Sequence, residues 1–311
     1  MLISVIIPCY RSEATIERVV EEAKNEILKR EGNDYQFVLV NDCSPDHTFE
    51  AIRRICEKDK KVIGVDLGRN YGQGTARMAG LQYVTGDVVV CMDDDGQHPA
   101  DQIYALVDKI TEGYDLVYGK FVHKEMSLFR RFSSWANTSL LELTGAKMKG
   151  ITNSPFLAWS RFSVEALKQY KSPFPSSGAY LMRCTNRVVN VEMVQRHRME
   201  GRSGYTLKKL INLWLTEFTN FTTVPLRVSG IFGMFLVALG FVVLIASLIA
   251  KAVNPALSVW LGVLYGILGM LFGVLFMILG LMGEYIGKIY MTVSDLPVFM
   301  PRTVLNAKDK E

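Results

Sequence analysis

The chain has no CxxC pair. Its five cysteines, Cys9, Cys43, Cys56, Cys91 and Cys184, are scattered over 311 residues. That spacing excludes a zinc ribbon or a disulfide scaffold and fits buried free thiols in a reducing compartment. Charge of one sign is also scarce in net: 35 Lys and Arg against 31 Asp and Glu leave +4, and no basic field argues for nucleic acid. No secretory signal opens the sequence, because Met1 runs straight into an apolar strand; the N-terminal part is expected in the cytosol. Two phosphate-binding signatures are missing as well. The glycine loop Gly68-Arg69-Asn70-Tyr71-Gly72-Gln73-Gly74 has neither the GxGxxG fingerprint nor Walker spacing, so a Rossmann dehydrogenase and a P-loop kinase lose ground.

What the chain does carry is an alternation of short apolar runs and helical patterns. Strands are expected at Leu2–Pro8, Phe37–Val40, Val62–Val65 and Val88–Met92. Helices are expected from Ser12, as a cap, to about Arg30, and over Thr48–Lys58 and Thr75–Val84. This βαβ alternation predicts a mostly parallel, Rossmann-like α/β sheet with helices on both faces. A helix over Pro99–Thr111, a strand over Asp115–Tyr118, a helix over Val164–Tyr170 and a strand over Val188–Gln195 continue it.

The fourth run delivers Asp93-Asp94-Asp95-Gly96-Gln97-His98-Pro99. Ligands of open α/β sheets sit beyond the carboxyl ends of such strands. Three adjacent carboxylates repel, and a hard divalent cation, Mg²⁺ or Mn²⁺, bound through oxygens and bridging to phosphate is one compensation; a solvated acidic turn is the other reading. Lys120, His123, Lys124, Arg130 and Arg131 form either a solvated face or a set of cations for a phosphorylated ligand. The Arg196–Tyr205 loop, with Arg196, Arg198 and Arg202, suits an anionic ligand or lipid headgroups.

The composition then shifts. Residues 206–227 are amphipathic and read as a juxtamembrane helix in the interface or as an ordinary core helix. Val228–Ala250 and Val259–Gly283 are uncharged runs of 23 and 25 residues, each long enough to span a bilayer. Arg227, Lys288 and Arg302 flank the pair and only Lys251 marks the turn between them. The positive-inside bias therefore expects both termini in the cytoplasm. The domain reading is 1–205 catalytic, 206–227 juxtamembrane, 228–290 a two-helix transmembrane hairpin, and 291–311 a cytosolic tail.

Ser4-Val5-Ile6-Ile7-Pro8-Cys9-Tyr10, Val40–Asp46, Arg69–Gln73, Thr85-Gly86-Asp87, Asp93–Pro99, Pro225-Leu226-Arg227 and Gly283–Tyr290 together resemble the family 2 glycosyltransferases of GT-A fold that act on polyprenyl phosphates. The resemblance covers nearly the whole chain. It implies an inverting enzyme of the bacterial inner membrane that moves a sugar from a nucleotide-sugar donor, UDP-linked, to a polyprenyl phosphate such as undecaprenyl phosphate, with a homo-oligomeric assembly. It implies that Pro8, Tyr10, Glu13 and Asp42 line the nucleoside pocket. Asp95 and Gln97 would hold the metal, with Asp93 as a donor or metal contact and Asp93 and Asp95 as the catalytic pair. Arg130, Arg131, Arg198, Ser203 and Tyr205 would bind phosphate or acceptor.

The chain departs from that pattern at Gly150–Ala158, where relatives carry an acidic residue and this sequence offers Asn153 or Ser154. A processive polysaccharide synthase is disfavoured because no Gln-x-x-Arg-Trp motif is present; a non-catalytic scaffold retaining the fold is the other alternative.

Overall fold

The computed structural model describes residues 1–121, 148–170, 177–194, 242, 245, 249, 251–254, 260–294 and 297–307. The chain divides into two compact units, Met1–Thr206 with Leu296–Glu311, and Leu207–Asp295.

The first unit is built on eight strands: β1 (Leu2–Cys9), β2 (Asp34–Asn41), β3 (Val62–Leu67), β4 (Val88–Cys91), β5 (Leu116–Phe121), β6 (Leu157–Ser160), β7 (Val188–Met193) and β8 (Pro301–Leu305). They form one sheet in the order β7-β5-β6-β4-β1-β2-β3-β8. β1 pairs in parallel with β2 and β4, and β2 with β3; β6 runs antiparallel between β4 and β5. The sheet is thus mostly parallel, as the alternation predicts. Helices are α1 (Ile16–Leu28), α2 (Thr48–Lys58), α3 (Gln73–Leu81), α4 (Ile103–Thr111), α5 (Arg161–Lys168) and α6 (Ser177–Cys184).

Period-2 alternation sorts each strand between two cores. Ile3, Val5, Ile7 and Cys9 of β1 enter one, with Ile16, Val20 and Ile27 of α1, Ile52 of α2 and Ile103 and Leu106 of α4. Ile6 of β1 and Val38 and Val40 of β2 enter the other, with Ala76, Ala79 and Leu81 of α3, Val164 of α5 and Leu181 of α6. A sheet buried on both faces explains why these strands read as nearly unbroken apolar runs.

Two details differ from the sequence reading. Ser12 does not cap α1; its backbone carbonyl instead accepts from Thr15 N and Ile16 N at 3.1 and 3.0 Å, and Thr15 stands at the cap position. The expected tail 291–311 is not all tail. β8 pairs antiparallel with β3, and Asn306 Nδ2 donates to the carbonyls of Cys56 (2.7 Å) and Val62 (2.9 Å). An edge strand of five residues that opens on proline and has two polar side chains carries little signal of its own; its partner β3 selects it.

The Thr85-Gly86-Asp87 turn fastens β4 to β1. Asp87 Oδ2 accepts from Leu2 N at 2.8 Å, and Gly86 N donates to Ser4 Oγ at 2.9 Å. A Cβ on Gly86 would lie 2.7 Å from Ser4 N and 2.8 Å from Leu2 O.

Of the second unit, α7 (Trp260–Val293) is a helix of 34 residues. Its segment Leu271–Val293 has a mean hydropathy of 1.6 and buries none of its most apolar window inside the protein. Of the expected first span, Val242, Ile245 and Ile249 are described, helical and exposed. The amphipathic stretch 206–227 lies outside the described residues.

Because backbone atoms surround Gly86, Gly86→Ala must shift β1. It is expected to cost about 1–3 kcal/mol, read as a lowered thermal midpoint of the purified protein.

Candidate active site

Parallel strands all present their carboxyl ends at one edge, and the loops after β1, β2 and β4 meet there. The first loop holds Pro8, which is buried, and Tyr10, which is 45% exposed. The second holds Asp42 and Asp46. Cross-bonds lock the two together. Arg11 N donates to Ser44 Oγ at 2.7 Å, Ser12 N to Thr48 Oγ1 at 2.9 Å, and His47 N to Glu13 at 2.8 Å. Arg11 and Cys43 both adopt positive φ, 58° and 52°. Left-handed backbone at non-glycine residues costs energy, and its concentration in two facing loops marks the cleft between them as a functional edge.

Asp42 is 4% exposed, and its two carboxylate oxygens accept from Tyr71 N (2.7 Å) and Gly72 N (2.8 Å). Burial pushes its pKa up against those two bonds. It holds the glycine loop, where Gly72 at φ 88° supplies a conformation other residues resist.

The three acids after β4 go separate ways. Asp93 is compensated on both oxygens: Gln73 and Arg77 (3.4 Å) donate to Oδ1, and His98 Nε2 stands 3.7 Å from Oδ2. Asp93 N donates to His98 Nδ1 at 2.8 Å, which leaves the ring proton on Nε2, facing the carboxylate. His98 is 4% exposed and stacks against Phe156 and Phe121, with ring centroids 4.9 and 5.6 Å away. Burial lowers its pKa despite the opposing pull of Asp93 and Asp95, so the ring is neutral near pH 7.

Asp94 turns inward. Its side chain accepts from Tyr10 N at 2.9 Å, and its carbonyl accepts from Thr15 Oγ1 at 2.7 Å. Burial raises its pKa to about 6. Asp95 Oδ1 accepts from Gln97 N at 3.0 Å across Gly96, whose φ is 72°. Among the described residues no three His, Cys, Asp or Glu side chains converge as a metal-binding group. Asp95 and Gln97 are hard oxygen donors, however, and Mg²⁺ or Mn²⁺ commonly takes one or two side-chain oxygens plus substrate phosphate, so this pair fits such an ion.

The segment before β6 completes the edge. Leu157 pairs with Cys91, which brings residues 151–156 beside the acids. Thr152 is held by a reciprocal pair with Asn190 at 2.7 and 2.8 Å; Ser154 Oγ accepts from Phe156 N at 3.2 Å, and Asn153 is exposed. A cleft of about 870 Å³, lined by Leu2, Asp34, Tyr83 and Val304, lies at the opposite end of the strands, away from every one of these acids.

A sequence profile described as Glycosyl transferase family 2 matches residues 4–184. The chain belongs to glycosyl transferase family 2. It is 31% identical over 310 residues to the undecaprenyl-phosphate 4-deoxy-4-formamido-L-arabinose transferase of Proteus mirabilis, covering 98% of this chain and 94% of that one. To the protein of the same name from Pseudomonas aeruginosa it is 32% identical over 317 residues, covering 98% and 91%. Among solved structures it is similar to glucosyl-3-phosphoglycerate synthase of Mycobacterium tuberculosis, with a TM-score of 0.49 at 23% identity over 68% of this chain and 74% of that one.

In this family 2 glycosyltransferase the structure brings Pro8, Tyr10, Glu13, Asp42, Asp93, Asp95, Gln97, Asn153 and Ser154 to one edge of one sheet. Arg130, Arg131, Arg198, Ser203 and Tyr205 lie outside the described residues. Three residues at the edge carried no role in the sequence reading: Gln73, Arg77 and His98. The i, i+4 spacing of Gln73 and Arg77 on the helix after the glycine loop is the signal that points to the first two.

The raised pKa of Asp94 has a stability consequence. An unfolded aspartate ionises near 3.8 and the folded one near 6, so folding takes up a proton between those values. This contribution to stability is present below about pH 4 and is lost as pH rises through 6, at a cost of about 2–3 kcal/mol. Asp94→Asn keeps an acceptor for Tyr10 N and removes the charge. In EDTA it is expected to melt several degrees above the wild type at pH 8, with the gap closing towards pH 4. An equal gap at both pH values would show that burial of the charge is not the cause.

Proposed function

We propose that the protein transfers a sugar from a nucleotide-sugar donor, UDP-linked, to undecaprenyl phosphate at the cytosolic face of the bacterial inner membrane. The observation that carries this reading is the Asp95-Gly96-Gln97 turn beside a charge-compensated Asp93, at the carboxyl ends of β1, β2 and β4, in a chain matched end to end by the undecaprenyl-phosphate transferases named above. The Pro8–Glu13 and Asp42 loops form the wall for the nucleoside. Asp93 orients the donor. Asp95 and Gln97 hold Mg²⁺ or Mn²⁺, whose chemistry, when bound, is to neutralise the diphosphate as it leaves.

The acceptor phosphate oxygen attacks the anomeric carbon from the side opposite the nucleotide. The bond to the diphosphate oxygen breaks and the anomeric configuration inverts. A phosphate monoester is already ionised near neutral pH, so no strong base is needed. Positioning and charge neutralisation supply the rate. Asn153 and Ser154, beside the acids, are polar candidates for the sugar or acceptor.

The membrane arrangement is supported by connectivity. The chain leaves the first unit near residue 207 and returns to it at 296, where β8 joins the catalytic sheet. That return supports an even number of crossings, with both ends of the intervening segment on the cytosolic side. α7 is about 50 Å long, against a hydrocarbon core of about 30 Å, and the uncharged 228–250 supplies the second crossing. Gly283 and Gly287 are spaced for close helix packing, and a Cβ at either would meet nothing within 4 Å. This supports close packing by the first span or by a second copy in a homo-oligomer.

The test is incubation of the purified full-length protein with Mg²⁺, undecaprenyl phosphate and a panel of radiolabelled nucleotide sugars, followed by extraction of labelled lipid. Transfer from one donor is expected; none from any donor, with the protein folded, leaves a scaffold that has kept only the fold. Asp95→Ala is expected to lower transfer at least 100-fold and to abolish Mn²⁺ binding without changing the circular dichroism. Full activity in that variant would refute the metal assignment.

A further inference from the structure

We propose that His98 is a positioning residue for the donor. Its Nδ1 fixes the start of the Asp93–Pro99 turn, and so sets the aim of Asp93 and the span over which Asp95 and Gln97 are presented. This rests on the nucleotide-sugar reading of the edge and adds to it the group that shapes the turn.

The ladder between β4 and β1 ends at this point. Met92 N still donates to Ile6 O at 3.2 Å. Asp93 N is the next amide, and it donates to the His98 ring, 2.8 Å away. Backbone donors away from water are paired almost without exception, so the first amide beyond the ladder takes the acceptor that the turn returns to it. Gly96, at φ 72°, makes the reversal, and Asp95 Oδ1 accepts from Gln97 N inside the closed turn. Pro99 follows, with φ −72°. A residue before proline is held to extended backbone, which limits where the His98 ring can go.

The ring is an expensive choice for a residue that only fills space. The His98 side chain is 2% exposed, and it stacks on Phe156 and Phe121, all three rings lying within 14° of parallel. Phenylalanine would occupy that slot without the cost of taking two ring nitrogens out of water. The nitrogens are used on one residue. Nδ1 accepts from the amide of Asp93, and Nε2 stands 3.7 Å from its carboxylate. The slot itself does not give way, because Phe156 is fully buried and its carbonyl accepts from Gly119 N at 2.8 Å. His98 thus ties the start of the turn to the strand framework through a rigid stack. Without that tie the turn opens at Asp93 and carries three donor-facing groups with it. A misplacement of about 1 Å at a reacting site costs on the order of 100-fold in rate.

The test separates the acceptor from the stack in the full-length protein. His98→Phe keeps the stack and removes the acceptor. His98→Asn keeps an oxygen acceptor close to the position of Nδ1 and loses the stack, and His98→Leu loses both. Three quantities are read: hydrogen exchange at the Asp93 amide by mass spectrometry, the thermal midpoint, and the Kd for UDP at saturating Mn²⁺ by calorimetry. In His98→Phe the midpoint is expected to stay near wild type while the Asp93 amide exchanges about tenfold faster and the Kd for UDP rises about tenfold. In His98→Asn the midpoint is expected to fall, while amide protection and UDP affinity stay within about threefold of wild type. Stability and donor affinity then move in opposite directions, which a residue kept only for packing does not produce.

Wild-type UDP affinity in His98→Phe overturns the proposal, and so does UDP affinity that follows the thermal midpoint across the variants. Should His98→Phe not fold, His98→Asn and His98→Leu decide, since both lose the stack and only one keeps the acceptor; equal UDP affinity in those two overturns it as well. Amide protection is read without any nucleotide. A wild type that protects the Asp93 amide yet binds neither UDP nor any nucleotide sugar of the panel overturns the nucleotide-sugar reading itself, and the donor role of His98 with it.

Discussion

Like charges crowded at the end of one buried strand are the constraint on which this site depends. β4 delivers three carboxylates in a row to a sheet edge where burial would raise the cost of each. The structure meets that cost by giving each acid a different partner from a different element. Asp93 is answered from α3 and from His98, Asp94 from the backbone after β1, and Asp95 from the turn that follows it. The cleft is organised by those answers. Tyr10 N answers Asp94, and Gln73 and Arg77 of α3, a helix packed on β1 and β2, answer Asp93.

The sheet makes this possible. Strands buried on both faces hold the carboxyl ends of β1, β2 and β4 in fixed register, so Asp94, 84 residues from Tyr10 in sequence, meets it within hydrogen-bond distance. The edge strand β8 extends the same sheet to the far side of the apolar segment.

Much of the fold was legible because local and global demands agree. Thr48–Lys58 is helical as expected, since its apolar residues repeat at helical spacing and face one core. Phe37–Val40 reads as a strand because nothing polar interrupts it, and β2 extends it at both ends to Asp34 and Asn41. Reading failed where a contact distant in sequence decides. Ser12 has the chemistry of a cap, yet its carbonyl rather than its hydroxyl closes the turn before α1. Pro301–Leu305 has weak strand character and becomes β8 only because β3 leaves an open edge.

The candidate site divides in the same way. The sequence by itself determined that a carboxylate cluster, a glycine loop and two uncharged spans stand in one chain, because composition and spacing are local properties. Asp93, Asp95 and Gln97 could be named from the motif. That Asp94 faces inward, that Asp42 clamps the glycine loop through Tyr71 and Gly72, and that Arg77 faces Asp93 were decided only by the tertiary structure. An arginine on a helix has many possible partners at the level of sequence. Packing α3 against β1 and β2 brings it to Asp93, and the direction in which a carboxylate turns depends on which donors the folded chain brings within reach.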